Sequence, residues 1–151
     1  MSEQKVNLTI EDQIKSGLSG DVQKNALDFT AFLRANDFTP EVNIEHDGWT
    51  ISSSGRVIVF LKVISDENVF AIVLNACNFT GDPSDDVRDF TWERVVFCPT
   101  GCGASTICEM SQKRVSIFGK DFENICIAPF EFFNLNADEL QKAQKLVLML
   151  Q

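Results

Sequence analysis

Apolar side chains recur at Ile10, Ile14 and Leu18, four residues apart, behind a Thr9 that has Asp12 three positions on. That spacing and a capping box predict a short helix over about residues 10 to 18. After Gly17 and Gly20 a second stripe begins at Asp21, with Val22, Ala26, Phe29 and Leu33 on one face, Asp28 and Arg34 off it, and Pro40 closing the element. From residue 41 the period changes. The runs 49–52, 56–64 and 69–76 are rich in β-branched and aromatic residues and are punctuated by Asp47-Gly48, Ser54-Gly55 and Asp66-Glu67-Asn68, which predicts a meander of antiparallel strands. VIVFLKVI and VFAIVLNA are apolar at nearly every position, whereas a strand with one wet face alternates. Both faces of these middle strands are therefore expected to be covered.

Residues 78–91, NFTGDPSDDVRDFT, carry four Asp, a Gly and a Pro and predict an acidic loop; its spacing lacks the alternate-position ligands of a calcium loop, which leaves a solvated face. Further strands are expected at about 93–97, 114–118 and 124–130, the last two joined by a turn at Gly119-Lys120-Asp121. Asn136, with Glu139 three residues on, predicts the cap of a final helix bearing Leu140, Ala143, Val147 and Leu150 on one face. These elements make one α+β domain over 1–151: a single antiparallel sheet of about five to six strands, with two N-terminal helices and one C-terminal helix packed on it. Three helical stripes cover one sheet face. The apolar outer face then needs a dimer partner, a strong curl toward a half-barrel, or a ligand.

Composition sharpens this picture. Thirteen Phe and no Tyr fit a greasy interior. Phe130, Phe132 and Phe133 in APFEFF are candidates to line an apolar pocket between the sheet and the last helix, with Trp92 as its lid; plain core packing is the alternative for each. Trp49, opening a strand, is expected in the core. The 22 acidic against 13 basic side chains give a net charge of -9, which disfavours nucleic acid and anionic membrane as partners because association begins with repulsion. VIVFL at 57–61 and LVLML at 146–150 fall far short of the roughly 20 residues that cross a bilayer. The first residues lack a basic stretch followed by an apolar one, and five cysteines are an odd set, so a cytoplasmic protein with reduced thiols is expected.

GWTI, GRVIVFLKV, the turn IFGKDFENIC and the closing Asn-capped helix together resemble small bacterial domains of unknown function grouped around YdhG-like proteins, which often carry a frataxin-like iron-chaperone label. The resemblance spans about 45–149. It implies a helix, antiparallel sheet, helix sandwich with no established catalytic residues, and it transfers no site residue to this chain.

One stretch carries chemical potential. FCPTGCGASTICE at 97–109 crowds Cys98, Cys102 and Cys108 together, and Cys126 follows eighteen residues beyond Cys108. These four are the candidate zinc or iron ligands, with His46 or Glu109 as an alternative fourth. Pro99-Thr100-Gly101 can turn Cys98 toward Cys102, but C-x3-C-x5-C is not the usual zinc spacing. A hairpin turn at 120–121 would also set Cys126 opposite about residue 115, roughly 23 Å from Cys108 along an extended chain. A redox pair fits less well, since a thioredoxin-like motif needs C-x2-C at a helix N-terminus. Cys108 and Arg114 share the C-x5-R spacing of tyrosine phosphatases, yet no Gly intervenes and RVSIF has the pattern of a strand. Cys77 and Cys126, inside apolar runs, are expected in the core, as is Cys98. His46 sits in a hairpin turn, where a surface histidine is the plain reading, and Gly101-Cys102-Gly103 lacks the Lys of a phosphate loop. The sequence thus points to a small non-catalytic binding domain for an apolar ligand or a protein partner, with a homodimer among the assemblies it allows. The alternatives are a metal-binding protein with a Cys-cluster site and a Cys-based redox or nucleophilic enzyme.

Overall fold

The computed structural model of the chain describes residues 8–98 and 111–150. Helix α1 (Ile10–Gly17) opens with the expected capping box, in which Thr9 accepts from the Asp12 N–H and Asp12 accepts from the Thr9 N–H. Helix α2 (Gly20–Ala35) stops before Pro40, because Asp37 turns left-handed at φ 64. The Phe38 N–H then reaches the Leu33 carbonyl and the Asp37 N–H that of Arg34, a Schellman ending sealed by the buried Phe38 ring. Strands β1 (Glu41–Asn43), β2 (Gly48–Ser53), β3 (Arg56–Ile64) and β4 (Val69–Leu74) form the meander. Ser54 and Gly55 both have positive φ, the geometry of the tight hairpin turn that joins β2 to β3.

The expected acidic loop at 78–91 is only partly a loop. Its second half is helix α3 (Asp85–Trp92), in which Asp85 and Asp86 occupy the first turn, where negative charge opposes the exposed N–H dipoles, and Val87, Phe90 and Thr91 turn inward. Aspartates that suggest a loop by composition here favour a helix start. Strand β5 (Val95–Phe97) is followed, beyond the segment outside the described residues, by β6 (Gln112–Ile117) and β7 (Lys120–Phe133). The chain closes with α4 (Ala137–Met149), whose Asn136–Glu139 capping box is as expected.

The protein is α+β with one antiparallel sheet. Among the described residues its strands number seven and its α-helices four, more than the expected five to six strands and three helices, the additions being β1 and α3. The order is β1-β2-β3-β4-β7-β5, with β6 also on β7. Phe130 faces Leu74 on one side and Val95 on the other, while Ile125 faces Gln112 and Phe97, so β4 and β6 lie end to end along one edge of β7 and β5 runs along the other. The β6–β7 turn falls at Phe118-Gly119, both at positive φ, rather than at 119–121.

The helices share one face of the sheet. The Trp49 indole N–H on β2 donates to Gln13 of α1 at 2.7 Å, Phe29 of α2 meets Phe70 at 6.3 Å, and Phe90 of α3 meets Phe132 at 5.4 Å. On that face Ile51, Val59, Leu61, Ile72, Leu74 and Phe130 are sealed under Ile10, Ile14, Leu33, Ala143 and Leu146. No described helix is long and apolar enough to cross a membrane.

Candidate functional site

The period of two along each strand that buries Ile72 and Leu74 turns Val69, Ala71 and Val73 to the opposite, outer face. Register assembles that face across strands. Thr50, Phe60, Val73 and Glu131 form one row, Lys62, Ala71 and Phe133 the next, and Ile64 pairs with Val69 in a third. Ala71 is buried between its neighbours, but Phe60, Ile64, Val69 and Val73 are half-buried and Phe133 is 57% exposed, against 2% for the adjacent Phe132. The helices thus cover one face of the middle strands, as expected, and leave the apolar outer face without a helix over it. The Phe60 ring lies over Gly48, where a Cβ would collide with it and with the Leu61 carbonyl, and it meets His46 edge-on at 6.3 Å. Lys62 and Glu131 are the two charged groups among these rows, and among the described residues neither has an ion-pair partner.

The structure separates the four aromatic candidates. Phe130 and Phe132 are core side chains; Phe79 lies 5.8 Å from Phe130 and stacks at 5.1 Å on Phe118 of the β6–β7 turn. Trp92 donates from its indole nitrogen to the Ile117 carbonyl at 2.8 Å, with Arg88 at 4.9 Å and Lys120 at 5.3 Å over its ring. It fastens the β6–β7 hairpin to α3. Phe133 alone looks outward. A groove of about 380 Å³ does lie between the sheet end and the last helix, but Val22, Lys24, Asn25, Phe70, Asn134 and Leu135 help line it instead. Behind it runs an asparagine relay that periodicity does not reveal. Asn134 accepts the Phe70 N–H at 2.8 Å and donates to the Asn68 carbonyl at 3.2 Å, and Asn68 accepts the Ser19 N–H at 2.9 Å. Asn68 and Asn134 both have positive φ, a region asparagine tolerates better than most residues.

Of the proposed metal ligands, Cys102, Cys108 and Glu109 lie outside the described residues. Cys98 is buried, as expected, and its N–H donates to the Asn124 carbonyl at 2.7 Å, two residues from Cys126 on the neighbouring strand. Cys77 is buried as expected; its thiol donates to Gln112 Oε1 at 3.7 Å, and Gln112 Nε2 donates to the Cys126 carbonyl at 3.4 Å. Burial pushes the Cys77 thiol up, away from thiolate character. Cys126 is half-buried. Cys98 through its N–H and Cys77 through Gln112 are thus both tied to the stretch of β7 that holds Cys126, and among the described residues no group of three or more Cys, His, Asp or Glu is placed to hold a metal. The expected register is also corrected. Gln112 faces Ile125, so Cys126 falls opposite Ser111 rather than residue 115, because the hairpin turn is tighter and earlier.

Several other polar groups pair within the fold. Arg94 bridges α3 and α4 by an ion pair to Glu139 at 2.6 Å while lying 4.0 Å over Phe90. Arg114 sits on a strand, as RVSIF suggests, paired with Asp121 at 2.7 Å. His46 is exposed in the turn before β2, its N–H held by Asn43 at 3.1 Å. Arg34, hydrogen-bonded to Glu11, holds that carboxyl below its ordinary range, and hydrogen bonds from Thr9 and from Ser84 do the same for Asp12 and Asp86. No family model, curated protein or solved structure matches the chain.

Proposed function

We propose that this chain is a non-catalytic cytoplasmic binding domain that docks a protein partner through the outer face of β2, β3, β4 and β7. The observation that carries the proposal is the contrast between two adjacent residues: Phe132 is sealed under the helices, while Phe133 stands 57% exposed beside half-buried Phe60 and Val73. A contiguous apolar sheet face rimmed by one cation and one anion is what protein recognition uses. The groove at Asn134 is lined by groups already engaged in backbone hydrogen bonds, which leaves little to orient a small ligand. An apolar fluorescent dye, 8-anilinonaphthalene sulfonate, tests the face. Wild-type protein should bind it, and Phe133→Asp should lose that binding while keeping its circular dichroism spectrum. Undiminished dye binding by the folded variant would remove the face from consideration.

A thiol metal site is the second reading, for zinc or iron at Cys98, Cys102, Cys108 and Cys126. The corrected register favours it: Ser111, opposite Cys126, is three residues from Cys108, a chain reach of at most about 10 Å instead of roughly 23 Å. Elemental analysis of the purified protein, with thiols counted before and after chelation, decides it. About one metal per chain and thiols released together on chelation support the site; metal-free protein with freely titrating thiols eliminates it.

A further inference from the structure

The outer face carries a pattern that reads its own inverse. Four side chains mark the corners of a rectangle around Ala71 and Val73 of β4: Phe60 and Glu131 on either side of Val73, Lys62 and Phe133 on either side of Ala71. Strand spacing makes the rectangle about 10 Å wide and the two-residue repeat makes it about 7 Å tall. The two phenylalanines occupy one diagonal and the two charges the other. Resting on the reading of this face as a docking surface, we propose that its partner is a second copy of the chain, paired about a two-fold axis running along the Phe60–Phe133 diagonal.

That axis is selected by charge. A half-turn about the Phe diagonal brings Lys62 of each copy to within side-chain reach of Glu131 of the other, and stacks Phe60 on Phe60 and Phe133 on Phe133. An axis along β4 would instead set Glu131 over Phe60, and an axis across the strands would set Glu131 over Phe133. Either leaves a carboxylate desolvated without a partner, which costs more than the apolar contact returns. The diagonal axis crosses the strands of the two copies near a right angle, one of the two ways in which twisted sheets pack. Isologous contact also doubles each interaction: one Lys–Glu pattern per chain gives two ion pairs per dimer.

Size sets the expected strength. Four strands about 4.8 Å apart and three rows about 7 Å apart give a footprint on the order of 400 Å² per chain, below the roughly 800 Å² of accessible surface per partner in a standard interface. The dimer should be a micromolar one rather than an obligate one. The net charge of -9 on each copy opposes closer association, so the two cross-interface pairs are the local exception to a general repulsion.

Sedimentation velocity of the full chain, from about 1 to several hundred micromolar, tests the proposal. Wild type should pass from monomer to dimer within that range. Lys62→Glu alone and Glu131→Lys alone should each weaken the dimer about tenfold or more, since each converts two attractions into two repulsions. Lys62→Glu combined with Glu131→Lys should restore it to within a few-fold of wild type. Neither side chain has an ion-pair partner among the described residues, so the monomer should fold in all three variants, as circular dichroism melting will register. Wild type that stays monomeric throughout, or a double variant as weak as the singles, overturns the second-copy assignment. Monomeric wild type whose dye binding still depends on Phe133 would retain the docking face while rejecting self-association, whereas loss of both results would reject both.

Discussion

Replacing Phe132 and Phe133 by Ala, one at a time, should produce very different costs from neighbouring residues of the same type. Phe132 is 2% exposed and packs on Phe90 and Phe130, so its truncation removes nearly the whole buried ring and leaves a cavity under α3. Phe-to-Ala changes at such sites cost about 3 to 5 kcal/mol. Against a total stability of about 5 to 15 kcal/mol, this is a large fraction, and at about 2 to 4 °C per kcal/mol for a chain of this size it lowers Tm by roughly 10 °C. Phe133 keeps less than half of its ring from water, and solvent fills the space that its removal leaves. Its truncation should cost about 1 kcal/mol or less. Urea unfolding under reducing conditions, at a concentration where the chain is monomeric, measures both through the midpoint at constant slope. Equal losses, or a larger loss at Phe133, would refute the account. A one-residue slip of β7 would exchange the two faces and reverse the order of the two costs.

Two further perturbations probe the framework of the face. Asn134→Gly preserves the positive-φ backbone but orphans the Phe70 N–H, so it should cost about 1 to 3 kcal/mol, and Asn134→Ala should cost about 1 kcal/mol more from left-handed strain; thermal melts of the pair separate the two contributions, and equal Tm values would deny the strain. Stability should also fall in acid. Glu11, Asp12 and Asp86 are held below their ordinary values, so their contribution is present above the unfolded-state carboxylate range, near about 4, and is lost as pH drops through the lower folded values. Glu11→Gln should therefore be less stable than wild type at pH 7, by about 1 kcal/mol or less for so exposed an ion pair, and the gap should narrow as pH falls through the lowered folded-state value of Glu11; a gap that stays constant into acid would assign the loss to packing instead.

Local signals were readable before the structure wherever one physical preference acted alone. The Thr9–Asp12 and Asn136–Glu139 boxes each satisfy orphan N–H groups by their own side chains, and β3 spans the expected 56–64 run rich in β-branched residues. Residues 85–92 were misleading because aspartate favours loops and helix starts alike, and only the inward side of Val87 and Phe90 decides between them. The β6–β7 turn was displaced by Phe118, a bulky residue seldom found at positive φ, which is held there by stacking on Phe79. The outer face was legible as a need for cover on the strand run VIVFLKVI. Its location was not, since which of two apolar faces the helices take depends on Phe29 meeting Phe70 and Phe90 meeting Phe132, contacts between residues about 40 positions apart. The link from Cys77 through Gln112 to the Cys126 carbonyl likewise arises from the placement of β4 and β6 end to end on β7.

The most direct test of the docking face is paramagnetic relaxation of side-chain methyl resonances by a soluble nitroxide, measured on dilute and concentrated protein. In dilute solution the methyls of Ile64, Val69 and Val73 should be strongly broadened and those of Leu61, Ile72 and Leu74 spared; on concentration, protection should appear at the first three alone. Broadening that treats Val73 and Ile72 alike in dilute solution would contradict an open outer face, and broadening that is unchanged on concentration would contradict its occupation by a second copy.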